Sequence, residues 1–137
     1  MPNTQAVGVA YSDPEFTTCY ASQEIGYSAA AQGTVTQATD KGTGVTLNKS
    51  AGRITMNNAA LAGGAAVSFT LTNSIISTND TIIVCVSSNT TGSAAGAYTT
   101  YVSYLAAGSA LITLRNLSAT SYSEAVIINF SIIHGAS

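Results

Sequence analysis

From Gly33 onward the chain is built of short runs rich in Val, Ile, Thr, Tyr and Phe, each soon interrupted by Gly, Asn, Ser or Asp. That rhythm leaves no room for an apolar stripe of 3.6-residue period and marks strands closed by turns. Eight runs qualify: "TVTQAT", "GVTLN", "RITMN", "AAVSFTLTN", "TIIVCVSS", "AYTTYVSYLAA", "SALITLRNL" and "EAVIINFSII". Their number and spacing predict an all-β fold, an antiparallel β-sandwich of jelly-roll-like form with about eight strands. The domain is expected over residues 33–137, preceded by an extended N-terminal arm over residues 1–32.

The clearest alternation is "AVSFTLT", which puts Val67, Phe69 and Leu71 on a core face and Ser68, Thr70 and Thr72 outside. In "AVIINFSII" both phases are apolar. Val126, Ile128, Phe130 and Ile132 share one side while Ile127 and Ile133 share the other, so this strand is expected to be covered on both faces, with a neighbouring subunit on one. The "AAGS" junction between "YVSYL" and "ALITL" predicts a hairpin. In a regular strand Tyr101 falls on the face opposite Tyr98 and Tyr104, which breaks up an aromatic platform for glycan or receptor.

Composition excludes several function classes. Although 46% of the 137 residues are apolar, the longest apolar runs, such as "TIIVCV" and "AVIINF", are far shorter than the roughly 20 residues of a membrane-spanning helix. A net charge of −2 argues against nucleic acid as partner, since phosphate binding needs a cationic face. Cys19 and Cys85 read as separate thiols. One histidine, His134 near the C-terminus, and two distant cysteines give no metal-ligand spacing, and no glycine-rich phosphate loop occurs, so neither metal nor cofactor is expected.

The carboxylates are scattered: Asp80 and Glu124 each precede an apolar run, where an acid closes a turn more readily than it protonates a leaving group. The chain reads as noncatalytic.

Within "TDKGTGVTLNKSAGRITM" stand three of the four basic residues, Lys41, Lys49 and Arg53. They are expected to present cations at one end of the domain, fixing orientation on an acidic partner. The first 32 residues contain both prolines and show no sustained period. Val7, Val9, Tyr11, Phe16 and Tyr20 are its apolar and aromatic anchors, with Asp13 among its acids.

The motifs "GVTLNKSAGRITMNNAALA", "VSFTLTNS", "YLAAGSALITL" and "LRNLSATSYSEAVIINF" resemble those of small β-domains in virion proteins of tailed bacteriophages, and the resemblance spans residues 33–133. It implies a trimeric module on the outside of a virus particle, either a capsid decoration (cement) protein or a fibre-tip module. A chain that starts at Met1 with a short arm and no shaft suits decoration. The expected partners are then the major capsid protein and two further copies of the chain, and the expected location is the outer surface of the capsid. Val7, Val9, Tyr11, Asp13, Phe16, Tyr20, Lys41, Lys49 and Arg53 are the candidate contacts. The alternative is a receptor-binding module of a tail fibre or tailspike that recognises host surface glycan.

Overall fold

The computed structural model of the chain describes residues 17, 18, 20–88 and 96–135. A single 3-10 turn at Ala29–Ala31 leads into β1 (Gln32–Thr36), β2 (Val45–Thr46), β3 (Ala51–Thr55), β4 (Ala66–Thr72), β5 (Thr81–Ser88), β6 (Tyr98–Ala106), β7 (Ser109–Asn116) and β8 (Ile127–Ile133). Each strand overlaps one of the runs marked in the sequence, with β1 and β3 each starting two residues earlier. They form two four-stranded sheets, ordered β1-β3-β8-β5 and β2-β4-β7-β6.

Neither sheet is purely antiparallel. β1 runs parallel to β3 and β2 parallel to β4, while the remaining neighbours are antiparallel. The cause is the path of the chain, which changes sheet at every connection except that between β6 and β7. Two successive crossings return it to its original sheet in its original direction, and β2 and β3 supply the crossover that each parallel pair requires. Alternation in the sequence shows which side chains face inward, but it does not show which sheet a strand joins.

The inward phases meet in one core. Ile54 of β3, Phe69 and Leu71 of β4, Ile112 and Leu114 of β7, and Ile128, Phe130 and Ile132 of β8 are all buried in it. Burial of each such side chain is worth about 1.5–3 kcal/mol, which makes the central pairs β3/β8 and β4/β7 the main source of stability. Val67, Phe69 and Leu71 point inward and Ser68, Thr70 and Thr72 outward, as the alternation predicts. On β8 the second apolar phase divides: Ile127 is buried, whereas Ile133 is 55% exposed.

The hairpin between β6 and β7 turns at Ala107 and Gly108, with Ala106 paired to Ser109. Gly108 has φ +78°, a left-handed backbone that a residue with a Cβ adopts at a cost. Its amide donates to the Ile76 carbonyl and its carbonyl accepts from the Asn73 amide, both at 2.9 Å, so the hairpin tip is tied to the turn after β4.

Close approach at the β1/β3 edge requires a second kind of glycine. Gly52 pairs with Gly33 on one side and Phe130 on the other, and a Cβ on Gly52 would meet Leu47 Cδ2 at 2.6 Å and Phe130 Cε1 at 2.7 Å. Gly52→Ala is therefore expected to lose about 1–3 kcal/mol through overpacking. Gly26→Ala, where nothing lies within 4 Å, is expected to change stability by less than about 0.5 kcal/mol. Urea denaturation of the two variants beside the parent chain checks both.

Candidate functional site

Side chains of alternate residues leave the outer face of the β1-β3-β8-β5 sheet in rows fixed by the register. One row is Gln32, Ala51 and Ser131, and the next is Thr34, Arg53 and Asn129. Gly26 and Tyr27 of the segment before β1 border these rows and enclose a groove of about 630 Å³. Tyr27 is fastened there: its hydroxyl donates to the Ile132 carbonyl, and the Gln32 Nε2 donates to its carbonyl at 2.8 Å. The lining mixes apolar surface with the polar side chains of these rows and is uncharged apart from Arg53, and among the described residues no carboxylate forms an ion pair with the Arg53 guanidinium.

The three clustered cations therefore part company. Arg53 lines the groove. Lys49 is half-buried and donates from Nζ to the Ala30 carbonyl at 2.8 Å, tying the 3-10 turn to the β2/β3 connection.

Lys41 departs from the expected role of a presented cation, since it is only 3% exposed. Its ammonium donates to the carbonyls of Asn57 and Glu124, and its own carbonyl accepts from Gln37 Nε2 at 3.0 Å. Gln37 also donates to the Thr43 carbonyl at 2.8 Å and accepts the Asn57 amide at 3.1 Å. Burial lowers the Lys41 pKa, and the nearby Glu124 carboxylate offsets only part of that effect. Lys41 is thus an internal tie between two connections.

Of the anchor residues, Tyr20 is almost wholly exposed, at 92%. Val7, Val9, Tyr11, Asp13 and Phe16 lie outside the described residues, as does Cys19. Cys85 is a free thiol on the exposed outer row of β5.

The two carboxylates considered for catalysis sit at opposite ends of β8. Asp80 accepts from the Ser77 amide at 2.8 Å, the Ser77 hydroxyl at 2.9 Å and the Gly135 amide at 3.1 Å, closing a turn as its position suggested. His134 does not simply point into solvent: its Nδ1 lies 3.1 Å from Asp80 Oδ2. Glu124 lies buried before β8 beside Tyr98. Burial, reinforced by that carboxylate and by Tyr122, pushes the Tyr98 phenol up to about 12.

The tyrosines are arranged differently from a regular strand. A bulge between Val102 and Tyr104 changes the phase of β6, so Tyr101 opposite Thr113 and Tyr104 opposite Leu111 share the outer face. They are 47% and 67% exposed, whereas Tyr98 turns inward and packs edge-on against Tyr122.

Two outcomes follow. Lys41→Met leaves the Asn57 and Glu124 carbonyls without their donor and is expected to lose about 1–3 kcal/mol in chemical unfolding, against a small effect for Lys49→Met. The Asp80 carboxyl is held at about 2, below its ordinary 3.8, chiefly by the Ser77 amide. Because its folded pKa is depressed, ionised Asp80 stabilises the fold above about pH 4, and that contribution disappears as the pH falls toward about 2. Asp80→Asn should therefore be less stable near neutrality and show a shallower decline over that acid window, read as melting temperature against pH. Comparison of the chain with known protein families, with curated proteins and with solved structures returns no match.

Proposed function

We propose that the protein is a noncatalytic structural protein of a tailed-bacteriophage virion, a decoration protein that binds the outer surface of the major capsid shell as a homotrimer and stabilises it. The observation that carries this reading is the segment leading into β1. Tyr20 and Ile25 are 92% and 87% exposed there, on backbone that forms no helix or strand over residues 20–28. Covering an isoleucine or tyrosine of this kind is worth on the order of 1.5–3 kcal/mol, which a shell or a neighbouring subunit supplies. Val7, Val9, Tyr11 and Phe16 continue the same apolar character toward the N-terminus.

The nested central pairs β3/β8 and β4/β7 support a jelly-roll-like module. The exposed Ile83 and Ile133 on the outer face of the β5/β8 pair support a contact between copies. Three linked arms on one trimer would bind a lattice with an avidity that no single arm provides. A ligand that binds the assembled shell and not its dissociated subunits stabilises the shell by mass action.

The second reading, a receptor-binding module of a fibre or tailspike, is favoured by one observation, the paired outward tyrosines Tyr101 and Tyr104. Particle imaging with quantification against the major capsid protein separates the two. Many copies at regular lattice points are the expected result, and a handful at the tail would replace it with the second reading. A Tyr20→Ser, Ile25→Ser double variant should keep its melting temperature and bind stripped particles at least about tenfold more weakly in a sedimentation assay.

A further inference from the structure

We propose that the groove around Arg53 is a binding site for an acidic saccharide, a hydroxyl-rich ring bearing a carboxylate of the uronic or sialic acid class. The inference stands on the groove alone and does not depend on where the protein sits in a particle.

Size comes first. At about 630 Å³ the groove lies within the roughly 300–1,000 Å³ typical of small-molecule sites. Its polar positions form a grid set by the sheet: Thr34, Arg53 and Asn129 lie side by side on three paired strands, with Gln32 and Ser131 one row away. Adjacent strands are about 4.8 Å apart and alternate residues about 6.6 Å, so the grid measures roughly 10 by 7 Å, the dimensions of one or two sugar rings.

Chemistry narrows the ligand. Arg53 offers a planar fork of donors suited to a carboxylate, and no described side chain neutralises it by an ion pair. Gln32, Thr34, Asn129 and Ser131 each bring both donor and acceptor capacity, which is what sugar hydroxyls require. Ala51 leaves the floor low between Gln32 and Ser131, beside Tyr27. A fastened tyrosine on that border provides an apolar face for the C–H side of a ring.

Other ligands fit less well. An apolar molecule would cover the Arg53 guanidinium and the Gln32, Thr34, Asn129 and Ser131 side chains without giving them hydrogen-bond partners. One cation in a chain of net charge −2 is too little for a polyphosphate. An extended peptide would look for an open strand edge, but β3 and β8, which carry Arg53 and Asn129, are paired on both sides, and the open edge of β1 faces away from them.

The test is a two-dimensional amide NMR titration of the whole chain with N-acetylneuraminic acid and with glucuronic acid. Glucose, acetate and a short oligoglutamate peptide serve as comparison ligands. The expected result is a saturable response at Thr34, Arg53, Asn129 and Ser131 with at least one acid sugar, with dissociation constants of about 1–10 mM. Glucose and acetate should each be at least about fivefold weaker, because each carries only half of the recognised chemistry. Arg53→Gln, a substitution at an exposed position, should retain the parent spectrum elsewhere and weaken the acid sugar about tenfold. Acetate binding as strongly as the sugars would reduce the site to simple anion pairing and overturn the proposal. So would tighter binding of the peptide, an unchanged response in Arg53→Gln, or no saturable response in the groove.

Discussion

Everything in this molecule depends on keeping two apolar sheet faces pressed together. Each sheet has one apolar face that it cannot bury by itself, and the side chains that meet between them belong to strands far apart in the chain. Ile54 and Ile128 come from one sheet and Leu71, Ile112 and Leu114 from the other, all with no exposed surface. Because the chain changes sheet at nearly every connection, almost no strand can be stabilised by its neighbour in sequence. Among the described residues only β6 and β7 form a local hairpin. The fold must therefore close many long loops before the core repays their entropy, which is characteristic of slow, cooperative all-β folding.

Repeated crossing carries irregular backbone past the open ends of the two sheets, where its polar groups need partners. The chain provides these with a few buried polar side chains. Asn116 is fully buried and donates to the Leu61 and Thr120 carbonyls while accepting from the Ser118 amide and hydroxyl, which uses the whole capacity of its amide. Lys41 and Gln37 do the same for the loops that meet at Asn57 and Glu124. An ammonium is an expensive way to satisfy carbonyls, as its lowered pKa records. The gain is reach, since Lys41 spans two connections 16 and 83 residues away.

The sequence carried the strands but not their company. All eight runs became strands because alternation and turn chemistry are local properties, and the "AAGS" hairpin was legible for the same reason. The parallel pairs were not legible, because they arise from where the chain crosses. Nor was the shared face of Tyr101 and Tyr104, since a bulge adds one residue to β6 and leaves no mark in composition. The site was half visible. Arg53 stood out as a scarce cation, but Thr34 and Asn129 are ordinary residues that become its neighbours only through the register of β1, β3 and β8. Lys41 misled because its two neighbours in the cluster do reach the surface or the groove, and proximity in sequence says nothing about burial.

The division between inner and outer phases also explains how such a chain can hold a recognition surface at little cost to its fold. The inward residues of β3 and β8 fix strand spacing and register, so the outward ones are presented on a rigid grid whatever their identity. Changing Thr34, Arg53, Asn129 or Ser131 leaves Ile54, Ile128 and Phe130 where they are. The glycines at 33 and 52 strengthen this arrangement: with no side chains of their own, they let Leu47 and Phe130 fill the space behind the groove floor. The floor is stiff because it is backed by packed hydrocarbon, and a stiff floor loses little entropy when a ligand settles on it.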